Sequence, residues 1–285
     1  MNALNRATTW LFDAALGPLE ALGRELALVV VSGVFGILAL IVFKHISWQK
    51  GIKGVKDQIK GGMIAIRIYQ NDLRIVGKSV AKVLGRNLQY LGLNFGPILP
   101  LMVPFTLVAA QLVVRYGFEP VPVWDAAKGE PLAGQGVTLE VALERARRAD
   151  VAALEVVLPE GLRAVSPLVR VAREGVAFQE LVGTEPGVYD VVLRLPGVET
   201  TKRLVVGAGT QARAFQPERV SSFWAAWLWP AEDTLAGTPF ERIAFVYPES
   251  DLRLLPGGPL GVLLTFLIAS MAFGFLVLKP LGIQI

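Results

Sequence analysis

KHISWQKGIKGVKDQIKGGMIAIRIYQNDLRIVGKSVAKVLGRNLQY (residues 44–90) is a basic stretch held between two apolar runs. Residues 44–86 carry ten Lys or Arg against Asp57 and Asp72, a formal charge of +8; the whole chain carries +4, so the remainder is acidic at −4. A basic loop bounded by membrane-length segments is the mark of a cytoplasmic loop. That asymmetry sets the expected orientation of the rest of the chain.

Outward from this loop, residues 26–43, 93–114 and 260–278 hold 18, 22 and 19 residues without a charge. At a rise of about 1.5 Å per residue each spans roughly 27–33 Å, the thickness of a hydrocarbon core. With 53% hydrophobic residues and a mean hydropathy of +0.51, the 285-residue chain is too apolar for an ordinary soluble protein. Three transmembrane helices are therefore expected, at 26–43, 93–115 and 257–279. The first is expected to stay as an anchor, because acids and Arg24 precede it and Lys44-His45 follow it, unlike a cleaved signal. The sequence pI of 9.4 would suit nucleic acid, but the positive charge lies beside a membrane, where anionic lipid is the simpler partner; no DNA is expected. With no cysteine, disulfides and thiolate metal sites are excluded.

Residues 1–25 place Trp10, Leu11, Ala15, Leu19 and Leu22 at helical spacing. That suits an amphipathic helix at the membrane interface, with Gly17-Pro18 as a break or a new start; a frayed leader is the alternative. In the first span, Ser32, Gly33 and Gly36 let another helix approach closely. Residues 44–92 carry two helical-period apolar sets, Ile52 to Ile68 and Leu73 to Leu88, and Tyr69-Gln70-Asn71-Asp72 is the best turn between them, capped by Asn71 or Asp72. This predicts an antiparallel helical hairpin with basic outer faces. Pro97, Pro100 and Pro104 crowd the start of the second span, which predicts a kinked or partly unwound segment beside a polar, water-accessible region.

From 116 onward the composition is that of a soluble domain. Residues 118–253 hold 14 basic and 19 acidic residues, opposing the loop's charge and predicting a location outside the cytoplasm. Valine-rich runs at 137–143, 152–158, 168–172, 189–195 and 201–206, punctuated by Pro/Gly turns, predict an all-β sandwich over 116–215. The stretch EPGVYDVVLRL resembles the tyrosine-bearing strand of immunoglobulin-like domains. Residues 216–256 form a tryptophan-rich segment. Trp10, Trp224, Trp227 and Trp229 are expected as interfacial anchors, the alternative for the last three being a patch that covers the sandwich. Residues 280–285 are read as a cytoplasmic tail.

No catalytic or metal-binding constellation and no cofactor site is expected. His45 is the single histidine and reads as an interfacial flank; no GxxxxGK[ST] loop is present, and the GAG in VVGAGTQ lacks the setting of a dinucleotide site. Ser32, Asn94, Thr106, Gln111, Thr265 and Ser270 are the polar residues within the spans. They read either as helix glue or as the lining of a hydrophilic groove, with the amides Asn94 and Gln111 evenly balanced between the two.

The order of membrane helix, basic hairpin, proline-rich second helix, outside segment and final membrane helix resembles the YidC-type membrane insertase superfamily. It is most similar to the minimal three-helix members, the archaeal YidC-like proteins and the insertase subunit of the endoplasmic reticulum membrane protein complex. The resemblance covers residues 1–115 and 257–285, and ILPLMVPFTL is its most specific local feature. Here the last two prolines are four apart, the arginine that many bacterial members carry in the first core helix has no counterpart, and a β-domain replaces the extra helical pair. The resemblance implies a nucleotide-independent insertase or chaperone of membrane proteins in a bacterial inner membrane, with the N-terminus and β-domain outside. Lys44, Asn94 and Gln111 would line its groove. Lys53, Lys56, Lys60, Arg67, Arg74 and Lys78 would meet the ribosome, the nascent chain or anionic lipid. The competing reading is an assembly subunit that binds other membrane-complex subunits through the β-domain; an enzyme or transporter has the least support.

Overall fold

The helices begin and end for local reasons. In the computed structural model, which describes residues 2–207 and 214–282, α1 (Asn2–Glu20) and α2 (Arg24–Ile46) meet at a turn where Gly23 takes φ +130°, a conformation that residues with a Cβ rarely adopt. Residues 208–213, which hold part of the GAG stretch, and 283–285 of the expected tail lie outside the described residues. The break expected at Gly17-Pro18 does not occur. Pro18 lies in the last turn of α1, where it gives up the hydrogen bond to the Ala14 carbonyl in the turn before, yet the helix runs on to Glu20.

α3 (Gln49–Ile68) and α4 (Leu73–Phe95) pack together as the expected hairpin, with the turn at residues 69–72. Asp72 is the cap: its carboxylate accepts the backbone N–H groups of Arg74 (3.0 Å) and Ile75 (3.1 Å), two donors that the first turn leaves open. Asp72→Ala is expected to destabilise the start of α4 by about 1 kcal/mol, measured as faster amide exchange over residues 73–76. Gly96-Pro97 separates α4 from α5 (Ile98–Tyr116). The prolines disturb α5 less than the sequence suggests. Pro97 precedes the helix and Pro100 lies in its first turn, where N–H groups have no intrahelical partner, so Pro104 alone removes a helical hydrogen bond.

The β-domain consists of two antiparallel sheets. The larger runs β3 (Leu162–Ala164), β5 (Val176–Gly183), β1 (Val137–Leu143), β9 (Phe240–Phe245), β8 (Glu218–Val220), with β4 (Val169–Val171) also on β5. The smaller runs β2 (Glu155–Val157), β6 (Gly187–Leu195), β7 (Val198–Val206). β1 alternates strictly, burying Val137, Leu139, Val141 and Leu143, and it pairs with β5 on one side and β9 on the other. The domain therefore extends past residue 215, because β8 and β9 come from the segment read as wholly interfacial. What remains of that segment is the loop around α6 (Phe223–Leu228) and the stretch 246–256 after β9. Val191 and Leu193 of β6, Leu204 of β7 and Ile243 of β9 are fully buried and form the core with β1.

The last helix is α7 (Gly258–Leu281). Among the described residues, three helical stretches are long and apolar enough to cross a membrane: Arg24–Ile46, Leu73–Tyr116 and Gly258–Leu281. The chain divides into two units, one of Met1–Leu28 with Leu107–Thr265 and one of Val29–Thr106 with Phe266–Ile285.

Candidate functional site

In the first unit, the site begins with two residues four apart on α5. Gln111 and Arg115 share a helix face, and they are 0% and 3% exposed. Gln111 Nε2 donates to the hydroxyls of Thr8 (3.1 Å) and Thr9 (3.0 Å), and Arg115 donates to Asp13 Oδ1 (2.5 Å) and to the Thr9 carbonyl (3.0 Å). Tyr116 Oη donates to Glu20 Oε1 at 2.9 Å, so α1 is held by polar contacts at Thr8 and Thr9, at Asp13 and at Glu20, from its second turn to its end. A buried charge or amide costs several kcal/mol unless partnered; these contacts serve Gln111 Nε2 and two Arg115 nitrogens, while Gln111 Oε1 and Arg115 Nε stay buried without a partner.

α1 is thus amphipathic in an inverted sense. Its polar residues face the protein, while Leu4, Trp10 and Leu11 are exposed together with the small Ala3, Ala7 and Ala14. Its first turns also bind the loop before β9: Arg6 pairs with Asp233, Thr9 Oγ1 donates to the Pro230 carbonyl (3.2 Å), and Thr234 N–H donates to Asn2 Oδ1 (3.1 Å). The hydrogen bond from Arg6 holds the Asp233 carboxyl below its ordinary value of 3.8. Since its folded-state pKa is lowered, the tether is fully present above that ordinary value and is lost as the pH falls through the lowered one. Amide exchange over residues 2–9 is expected to stay slow at pH 5 and to rise only in stronger acid.

Behind this loop, Lys202 of β7 is fully buried and pairs with Glu232, also donating to the Gln216 carbonyl at 2.8 Å. Burial pushes the Lys202 ammonium down from its ordinary value, and Glu232 opposes the shift. Arg219, lowered likewise by burial, ties the Asp233 carbonyl (2.6 Å) to Thr200 Oγ1 (2.9 Å). Tyr247, raised by burial, accepts the Val205 N–H at 3.0 Å.

The structure distributes the residues singled out from sequence. Gln111 belongs to the first unit, fully buried, with its Nε2 bonded to Thr8 and Thr9 of α1 and its Oε1 without a partner. Lys44 and Asn94 belong to the second unit: Lys44 is exposed in the last turn of α2, and Asn94 Nδ2 donates to the Tyr90 carbonyl (2.8 Å) while its Oδ1 is buried without a partner. Lys53, Lys60, Arg67, Arg74 and Lys78 are exposed on the hairpin, with Lys56 half-buried. α4 shows a further exposed face that was not anticipated, the apolar row Leu73, Val80, Leu84, Leu88, Leu91 and Phe95 beside Arg74, Lys78 and Lys82. Trp10 and Trp224 are 70% and 78% exposed, whereas Trp227 and Trp229 are half-buried and Trp229 lies 6.2 Å from the Phe118 ring. Half of the expected anchors therefore face outward. Sequence reasoning missed Asp13 and Arg115; the spacing of Gln111 and Arg115 was the available signal.

No described protein family matches the chain, and no curated protein does. Its chemistry must be read from its own geometry. Among the described residues, no three His, Asp or Glu side chains converge as metal ligands would.

In the second unit, α2, α5 and α7 bound a cleft of about 250 Å³ lined by Phe35, Ala39, Leu40, Leu101, Phe105 and Met271, among others. Phe35, Phe105 and Phe266 cluster with ring centroids 4.7–6.0 Å apart. The small residues of α2 work as expected: a Cβ on Gly36 would overlap the Ser270 carbonyl oxygen, so the absence of a side chain there lets α7 approach.

Proposed function

We propose that this is a multi-pass membrane protein of the insertase or chaperone kind, which helps to insert or fold membrane proteins without a nucleotide. The observation that carries the reading is the joining, within one unit, of a basic hairpin to a three-helix cleft, through a chain reversal-free passage from α4 into α5 at Gly96-Pro97. The hairpin presents cations and an apolar row side by side, a surface suited to anionic lipid, a nascent chain or ribosomal RNA. The cleft is apolar, so it suits the apolar part of a client, and Lys44 and Asn94 suit its polar flank. In this reading the hairpin is cytoplasmic, the β-domain lies outside a bacterial inner membrane, and α1 and Trp224 rest at the headgroup level.

The β-domain is proposed to be an immunoglobulin-like sandwich. Support comes from Tyr189 at the start of β6, whose Oη donates to the Glu185 carbonyl at 2.9 Å, the kind of backbone contact made by the tyrosine of that fold. The same domain supports a second reading, an assembly subunit that binds a partner outside: the edge strands β4 and β2 leave Val169 and Val157 exposed.

The test is site-specific photocrosslinking at Leu101, in the cleft, and at Lys60, on the hairpin, during translation of a membrane substrate. Adducts of nascent-chain mass at both positions are expected. Labelling of lipid alone, together with stable copurification of a stoichiometric partner, would replace the insertase reading by the assembly one.

A further inference from the structure

The cleft of the second unit lacks any free polar group. Ser270 is its one polar lining residue, and its hydroxyl donates to the Leu267 carbonyl at 2.9 Å. An apolar void of roughly 150 Å³ stays dry and takes up benzene; this one, at about 250 Å³, is larger and open at the side. Its natural filling on a membrane-spanning helix bundle is hydrocarbon.

Charge says which hydrocarbon. Gly36 lies against Ser270 and Leu40 against Gly274, so α2 and α7 run in the same direction where they border the cleft. Leu40 and Phe275 are the last lining residues on these two helices, and Lys44 and Lys279 follow each of them by four residues. Four residues is about one helical turn on the same face, roughly 5.4 Å further along. Both lysines are exposed. Two ammonium groups one turn past the same end of an apolar slot match a phosphate followed by an acyl chain.

We propose that the cleft binds one acyl chain of an anionic phospholipid, with the lipid phosphate held between Lys44 and Lys279. This rests on the membrane location proposed above; in the insertase reading a client would compete with the acyl chain for the same cleft.

The test uses the full chain in vesicles of equal parts phosphatidylglycerol and phosphatidylcholine, with a diazirine in the acyl chain of one lipid at a time. Phosphatidylglycerol adducts are expected on Ala39, Leu101 and Met271, in preference to phosphatidylcholine adducts. Lys44→Gln and Lys279→Gln should each reduce that preference about fivefold while leaving some acyl labelling. Ala39→Phe should fill the slot and abolish labelling there, whereas Leu38→Phe, on an exposed position of the same helix, should leave it intact; thermal unfolding of both variants reports whether they fold. Equal labelling by the two lipids, lysine variants that leave the preference unchanged, or a nascent client that labels Leu101 where lipid does not would each overturn the proposal while sparing the membrane location. A chain that stays monodisperse without detergent would overturn both.

Discussion

Glu232→Ala is expected to destabilise the β-domain by about 3–5 kcal/mol, the range for stranding one partner of a buried ion pair. Lys202 is fully buried; its ammonium would keep the carbonyls of Gln216 (2.8 Å) and Arg203 (3.4 Å) but lose the Glu232 carboxylate. The same substitution frees the Arg203 N–H, which donates to Glu232 Oε2 at 3.2 Å. Because Arg219 and Arg6 both hold the neighbouring Asp233, the loosening should spread to the first turns of α1 and appear there as faster amide exchange. Lys202→Met combined with Glu232→Gln should recover most of the loss, since an ion pair of this kind nearly breaks even against an apolar replacement. The pH dependence gives an independent check. The unfolded chain holds the Lys202 proton up to the ordinary value of 10.5, whereas burial lowers the folded value. Stability contributed by this group therefore rises with pH between the two. Removing Glu232 takes away what holds the folded value up, so the rise should begin at lower pH in Glu232→Gln. A variant that unfolds at the same denaturant concentration as the parent would refute the assigned role of the pair.

Glycines in the second unit should respond to alanine with opposite signs. At Gly36 the added carbon overlaps the Ser270 carbonyl oxygen, and backbone cannot step aside as a flexible side chain can. Gly36→Ala must part α2 from α7, at a cost of about 1–3 kcal/mol or more, and should widen the cleft. At Gly54, inside α3, nothing lies within 4 Å of the added carbon. Gly54→Ala should stabilise the hairpin by roughly 0.5–1 kcal/mol, because glycine is the poorer helix former. Thermal unfolding of the two purified variants in the same detergent measures both. Equal shifts would mean that the close approach of α2 and α7 does not carry the stability argued here.

How far the sequence could be read depended on how local each cause was. The hairpin turn was legible because Asp72 acts on N–H groups two and three residues away. β1 was legible from its own alternation, and the apolar runs from their length. β5 and β9 were not, although they flank β1: VAFQELVG and FERIAF have no clean alternation, and they become strands by pairing with residues far along the chain. Gln111 stood out by its position in an apolar run, but its partners did not, since Thr8 and Thr9 are about a hundred residues away and look like ordinary helix positions. The prolines misled for the reverse reason. A count of three implied disruption, while the position of Pro100 in the first turn of α5 makes it nearly harmless.

α1 carries a consequence for handling the protein. A segment that spends its hydrogen bonds on Gln111, Arg115 and Tyr116 and turns Trp10 and Leu11 outward is matched to oily surroundings. In plain buffer the same segment would be a sticky patch, and two molecules would hide it by clinging to each other. Choice of amphiphile should thus govern whether preparations remain dispersed, with longer-tailed detergents outperforming short ones, and the indole fluorescence of a variant that keeps Trp10 alone of the six tryptophans would report the difference.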